Sequence, residues 1–322
     1  MSSCSHSHGH ATANEYALDQ PGRLDPTKTT SYQRDLARFL RGRIAELDAE
    51  IQRKLVEEDA FGIKETGSGI GEWAGLSDAE KGRRFDDWLD RQIEALVLAP
   101  IMEADRVERD LRRAAERGLK DARSSVRSAA RLPVDDGGLT QSERQTLERG
   151  LPDPDDRITD RAVQEELDFR REELRQRTDA QLEEFAGEAR QLAMAGLSAG
   201  IGASTIARDI VERGQVAKSK ATASASAEIV NTFNTTKVRH YWDEVEADFE
   251  IEVEAEHVDA GDDRVCDTCL DISSMDWTFE DAAEGTPPRQ PTPDDSFQYD
   301  TGPPWHDFCR CTFHVTQIGE VF

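Results

Sequence analysis

The stretch that decides the fold is Phe249-Glu250-Ile251-Glu252-Val253-Glu254-Ala255-Glu256-His257, because the hydrophobic period of the chain changes there. Apolar residues alternate strictly with glutamates, which is typical of a half-buried strand with an acidic outer face. His257 is in phase with the apolar side, so we interpret it as a packed histidine rather than a metal ligand. Before this stretch the apolar spacing is helical. We therefore predict a mainly α protein, with an elongated helical N-terminal and middle region followed by a small α+β domain.

Upstream of the strand, apolar residues recur at steps of three and four, the spacing of one buried helical face. Ser77 and Glu80 form a predicted capping box at the start of the second helix. The predicted helices are a first one with the stripe Leu36, Leu40, Ile44, Leu47, Ile51 and Leu55, then 77–100, about 101–131, about 158–195, a short one at Thr205–Arg213 and a longer one at about 218–245.

Shifts in composition divide the chain into five predicted parts. The N-terminal arm carries His6, His8 and His10 and lacks an apolar pattern, so we expect it to be disordered. Proline and glycine mark the linker. The predicted parts are a disordered His-containing arm (1–30), a helical region (31–132), a linker (133–157), a helical body (158–245) and a small α+β zinc-binding domain (246–322).

The chain is strongly acidic, with 66 Asp and Glu against 40 Lys and Arg in 322 residues and a formal net charge of -26. Only 8 of the 40 basic residues are Lys. This composition favours a protein adapted to molar salt, where repulsion between carboxylates is screened. The alternative is an ordinary acidic protein from a GC-rich genome. No apolar run approaches the length of a membrane span and the N-terminus lacks a secretory pattern, so we expect no membrane association.

The strongest chemical motif is Cys266-x2-Cys269 followed, after 36 residues, by His306-x2-Cys309-x-Cys311. Zinc takes four soft or borderline ligands in a tetrahedron, and each Cys-x2-Cys-like spacing can present two of them from one turn. The preferred set is Cys266, Cys269, His306 and either Cys309 or Cys311.

Two alternatives to that ligand set remain open. Four cysteines could bind the ion with His306 beside it, or the cysteines could be reduced core residues or two disulfides. A site with four or more protein ligands has no open position for water, so we expect structural Zn²⁺ rather than a catalytic ion.

These residues resemble the C-terminal domain of tailed-phage minor head proteins of the phage Mu protein F-like head-morphogenesis family. The resemblance lies in Asp263-Arg264-Val265-Cys266-Asp267-Thr268-Cys269 and Pro303-Pro304-Trp305-His306-Asp307-Phe308-Cys309-Arg310-Cys311. Gly196-Leu197-Ser198, residues 206–210 and the Ala-rich helix ending near Asn234 are similar in order. Asp307 replaces the family's usual proline, and residues 271–274 lack its usual glycine.

The resemblance implies a minor capsid component recruited near the portal during head assembly. It implies location in the virion head, and in the host cytoplasm during assembly, with the portal protein, the major capsid protein or both as partners. The acidic composition adds a virus or provirus of a haloarchaeon as the expected source.

The motifs of common enzymes are missing from the sequence, so we expect a structural protein rather than an enzyme. Glu65-Thr66-Gly67-Ser68-Gly69 lacks the lysine of a phosphate-binding loop. The alternative function is a zinc-ribbon nucleic-acid-binding protein, which the acidic residues around the cysteines disfavour. A metal-dependent hydrolase is disfavoured by the closed ligand set.

One helix is basic in this acidic chain. From Arg106 to Arg131 there are nine basic and four acidic residues, and the basic ones project opposite the apolar stripe. The face is either solvated and paired with acidic neighbours or a docking surface for an acidic portal or shell protein, with packaged DNA as a further partner. The candidate docking residues are Arg106, Arg109, Arg113, Arg117, Lys120 and Arg127.

Overall fold

The computed structural model describes residues 26–58, 61, 76–131, 139–199, 201–259, 269 and 311–320. These residues are mainly helical, as predicted, with two strands. The helices are α1 (Thr30–Gln52), α2 (Asp78–Ile93), α3 (Ala99–Glu103), α4 (Asp105–Ala129), α5 (Gln141–Gly150), α6 (Pro154–Arg157), α7 (Arg161–Ala199), α8 (Ala203–Lys237) and α9 (Asp243–Phe249), with π-helical turns at Arg53–Glu57, Glu94–Leu98 and Val238–Trp242. The strands are β1 (Ile251–Val258) and β2 (Thr312–Glu320).

Local sequence signals account for several helix starts. The predicted capping box of α2 is confirmed, because the Ser77 amide donates to the Glu80 carboxylate at 2.8 Å and the Glu80 amide donates to Ser77 Oγ at 3.3 Å. Thr140 and Glu143 form a second capping box at α5. These reciprocal hydrogen bonds satisfy amides that have no partner within a helix.

The predicted continuous helix over 101–131 is wrong, because an extended residue, Ala104, separates α3 from α4. Ile101 and Val107 are both fully buried. In one uninterrupted helix these residues would point about 120° apart. The break therefore turns both side chains into the core.

The predicted division at 213–218 is also wrong, because α8 runs unbroken from Ala203 to Lys237. Gly214 lies where a Cβ would come within 2.4 Å of Asp48 Oδ1. Here the glycine allows a close approach to α1 rather than ending the helix.

The segment predicted as a linker, 133–157, contains α5 and α6, and its residues 133–138 lie outside the described part.

The described chain forms two compact units built from interleaved segments, whereas the sequence had suggested parts in sequence order. Unit 1 comprises the described residues up to Asp35, Glu108–Arg171 and those from Ser226 onward. Unit 2 comprises Leu36–Val107 and Glu172–Ala225.

Unit 2 is built on the apolar stripe predicted for α1. Leu40, Ile44 and Leu47 are fully buried in it. Phe61 packs on both Phe85 and Trp88, with ring centroids 5.4 Å apart in each pair. Helix α2 approaches α7 closely at Gly82, where a Cβ would meet the Met194 sulfur at 2.2 Å.

Unit 1 contains an antiparallel sheet in which β1 pairs with β2. Glu250 ends α9 in the left-handed conformation, with φ 50°, and the chain then enters β1. The predicted alternation of β1 is confirmed in its described side chains, because Val253 and Ala255 are buried while Glu254 and Glu256 are exposed. Among the described residues, the helices are too short or too polar to cross a membrane.

Candidate metal centre

The sheet of unit 1 places the candidate ligand Cys311 directly before β2. His257 of β1 lies opposite Phe313 of β2. Their rings are 5.9 Å apart and nearly perpendicular, and both side chains are buried. His257 therefore packs against an aromatic ring, as its phase in the strand indicated.

Helix α8 binds the chain at this cysteine and at the two residues that follow it. The Asn234 amide nitrogen donates to the Cys311 carbonyl at 3.1 Å, and the Thr312 hydroxyl donates to Asn234 Oδ1 at 2.7 Å. Lys237 Nζ donates to the Phe313 carbonyl. The entry to β2 is thus attached to α8 by side chains one helical turn apart.

Lys237 is fully buried, although it is a lysine. Its ammonium also donates to Asp121 Oδ2 of α4 at 2.7 Å. It lies 5.7 Å from the Phe233 ring centroid and 5.1 Å from that of Trp242. Burial lowers the pKa of Lys237, and the charge of Asp121 opposes this shift. Lys237 therefore links α4, α8 and β2 at a single buried point.

Two of the five candidate ligands belong to the described part of the chain, and both are buried. Cys269 and Cys311 are each 2% exposed. Cys266, His306 and Cys309 lie outside the described residues. Within the described part, three or more His, Cys, Asp or Glu side chains do not come together as a ligand group. Buried thiols are suitable soft donors for zinc, so the two described residues fit the predicted chemistry.

A second buried polar cluster lies between α7 and α8 in unit 1. Arg170, only 2% exposed, donates to Glu166 and, at 3.1 Å, to the Thr235 hydroxyl, and its Nη1 lies 3.7 Å from Glu228. Burial acts to raise the pKa of Glu166, but His240 and Arg170 outweigh it and the pKa lies below its ordinary value. This arginine is thus paired with two carboxylates inside the unit.

The sequence interpretation missed the polar positions on the second half of α8. Nearly all of that segment is buried, including its Asn, Thr, Glu and Lys side chains. A helix enclosed on all sides does not show the one-sided stripe on which the prediction relied. The signal was the density of Asn and Thr, which are weak helix formers, in a long helix. The residues concerned are Glu228, Asn231, Thr232, Asn234, Thr235 and Lys237.

The candidate docking residues all lie on α4 but do not form one face of one unit. Arg106 belongs to unit 2 and the others to unit 1. Arg113 lies 3.7 Å from Asp110 and stacks on Tyr32, whereas Lys120 pairs with Asp155 at 3.0 Å. Arg109 lies slightly farther from Asp110 than Arg113 does. Arg117 and Arg127 are partly buried.

Comparison with known proteins gives a family for the segment that carries this site. Residues 188–314 match the model of the family described as Phage Mu protein F like protein. The match covers less than half of the chain and includes α8, β1 and all five candidate ligands. It supports a viral structural protein of the phage head-morphogenesis type. No curated protein and no solved structure matches the chain.

Proposed function

We propose that the protein is a minor capsid and head-morphogenesis protein of a tailed virus, with a structural and assembly role near the portal and inside the head. The observation that carries this proposal is the family match over residues 188–314. The portal protein, the major capsid protein or both are the partners, and packaged DNA is a further contact. The protein is located in the virion head, and in the host cytoplasm during assembly.

The acidic composition supports a haloarchaeal virus or provirus as the source. The net charge is -26, and Lys is rare relative to Arg. Exposed glutamates on β1, such as Glu254 and Glu256, extend this acidity to the structured surface beside the candidate site. The same acidity disfavours the alternative function, a zinc-ribbon nucleic-acid-binding protein, because phosphate contact needs a basic surface.

Four of the five Cys and His candidates are proposed to hold one structural Zn²⁺. The burial of Cys269 and Cys311 supports this, as does the attachment of the chain around Cys311 to α8. Bound zinc would supply a cross-link between two segments that are distant in sequence. The role is structural and not enzymatic, because a full set of protein ligands leaves no position for a substrate.

Metal analysis tests the zinc proposal. Purified protein should contain about one zinc per chain, and Cys266→Ser should lower this content and increase proteolysis within residues 246–322. Cys4→Ser is the matched control, since Cys4 is more than 250 residues before the motif in the sequence, and it should leave both values unchanged. A protein without zinc, or an equal effect of the two substitutions, would contradict the proposal.

Particle analysis tests the head-assembly proposal. Mass spectrometry should detect the protein in purified heads, and removal of its gene should reduce the yield of DNA-filled heads. Restoring the gene in trans should restore that yield. Normal filled heads from the deletion strain would show that the protein has no assembly role.

A further inference from the structure

A groove on unit 1 runs between α4 and the turn that begins α6. It has a volume of about 450 Å³. The wall formed by α4 and the turn after it carries four basic residues at successive steps of three, four and four, which places the three on α4 on one side of the helix. Ser124 and Ser128 lie between them. The basic residues are Lys120, Arg123, Arg127 and Arg131.

The opposite wall neutralises only part of this charge. Asp155 lies 3.0 Å from Lys120 and Asp153 lies 3.3 Å from Arg123. Arg131 pairs with Glu148, at 2.9 Å, which does not line the groove. Within the described part of the chain, Arg127 has no carboxylate within ion-pair distance. The groove therefore has four basic side chains and two acidic ones in a protein of net charge -26.

The existing ion pairs can be exchanged for those of a ligand. Lys120 is 51% exposed, Arg131 69% and Asp155 76%, so their pairs are solvated and individually weak. Three of the four cations are arginines, whose planar guanidinium groups bind carboxylates through two parallel hydrogen bonds. A ligand that supplies carboxylates at helical or extended spacing can replace or add to the intramolecular partners.

We propose that this groove is the docking site for an acidic peptide segment of another head component. The inference rests on the proposed function, because that function supplies the class of partner. A peptide is favoured over DNA for two reasons. Asp153 and Asp155 face the groove and would repel an uninterrupted phosphate backbone, whereas a peptide can place neutral residues opposite them. The net charge of the whole chain also repels a long polyanion more strongly than a short acidic segment.

The direct test measures binding of a fluorescein-labelled octaglutamate peptide by fluorescence anisotropy at low and high salt. The full chain should bind it, with affinity falling as salt rises. The double variant Arg127→Glu with Arg131→Glu should bind about tenfold more weakly or worse, since two attractive contacts become repulsive. Circular dichroism should show an unchanged fold.

The matched control reverses two exposed arginines elsewhere, Arg161→Glu with Arg208→Glu, which changes the net charge by the same amount. It should retain most of the peptide affinity. An equal loss in both double variants would mean general attraction and would overturn the proposal. Tighter binding of a short DNA duplex than of the peptide would overturn it in favour of phosphate recognition.

Two further measurements separate this inference from the function on which it rests. Concentration-dependent self-association that the groove variant abolishes would make a second copy of this chain the occupant, and would overturn the proposal. If the wild type is present in purified heads and the groove variant is present at the same level, the docking site is wrong while the head function stands. If the wild type is absent from heads but binds the peptide through the groove, the proposed function is wrong. The groove then binds acidic peptides, but its partner is not another head component.

Discussion

Lys237 is the buried residue that links α4, α8 and β2 in unit 1. A buried charge is costly unless it has an opposite charge and hydrogen-bond acceptors, and Lys237 has Asp121 and the Phe313 carbonyl. Such pairs do not always add stability compared with an apolar replacement, but removal of one member leaves the other buried without compensation. The main contribution of the lysine is therefore to the specificity of packing, because it determines which helix and which strand pack together.

Lys237→Met should destabilise unit 1 by about 3 kcal/mol, because it leaves Asp121 and a carbonyl oxygen without their ammonium partner. Denaturant unfolding measures this change. The control is Lys220→Met on the same helix, where the lysine is partly exposed and pairs with Glu184 at the surface. Its effect should stay below about 1 kcal/mol. Equal effects of the two substitutions would contradict the role assigned to Lys237.

For single residues, the sequence predicted the role of a side chain better than it predicted the residues that the side chain contacts. His257 was interpreted correctly as a packed residue in phase with the apolar side of β1, whereas metal binding by Cys311 stays a prediction. Lys237 was not singled out, because its partners are 116 and 76 residues away and nothing in its local pattern indicates them. Long-range pairing of polar groups leaves no periodic signal in the chain.

Among the elements, α4 and α8 approach each other closely at Gly118. A Cβ at this position would lie 2.4 Å from the Phe233 carbonyl oxygen. Because that atom belongs to a helix backbone, it cannot move aside as a flexible side chain would. Helix α4 thus needs a glycine to place Asp121 within reach of Lys237.

Gly118→Ala should destabilise the protein by about 1–3 kcal/mol, through overpacking between the two helices. Gly187→Ala is the matched control, because a Cβ there meets nothing within 4 Å. That substitution should stabilise α7 by about 0.5–1 kcal/mol, since glycine is a poor residue for a helix interior. Thermal unfolding of both variants should shift in opposite directions, and a shared direction would refute this assignment of the contact.

The helix predictions succeeded where one face is apolar and failed at the boundaries. The stripe of α1 and the capping box of α2 needed only local information. The break at Ala104 and the continuity of α8 through Gly214 depend on how side chains pack against neighbouring helices. Packing between elements decided both cases, and propensity alone suggested the opposite.

For the whole molecule, the dominant physical quantity is the charge of -26. Many described ion pairs are exposed and contribute little each, so repulsion among the remaining carboxylates is not offset locally. Salt shortens the range of that repulsion to about 3 Å at 1 M ionic strength.

The melting temperature should therefore rise from dilute buffer to molar KCl. Calorimetry with Zn²⁺ added to every sample measures it, so that any loss of metal does not contribute. A melting temperature independent of KCl concentration would favour the ordinary acidic protein of a GC-rich genome.

The pairing of α8 with β2 also has a consequence for protein synthesis. Phe313 follows Lys237 by 76 residues, so the ribosome must release that much chain before Lys237 can meet its carbonyl partner. Until then Asn234 lacks the Cys311 carbonyl and Lys237 has Asp121 but not the Phe313 carbonyl, so unit 1 cannot reach its final form around the second half of α8. A translation product that stops before β2 would expose those polar groups to water, and we expect proteases of the host to remove it.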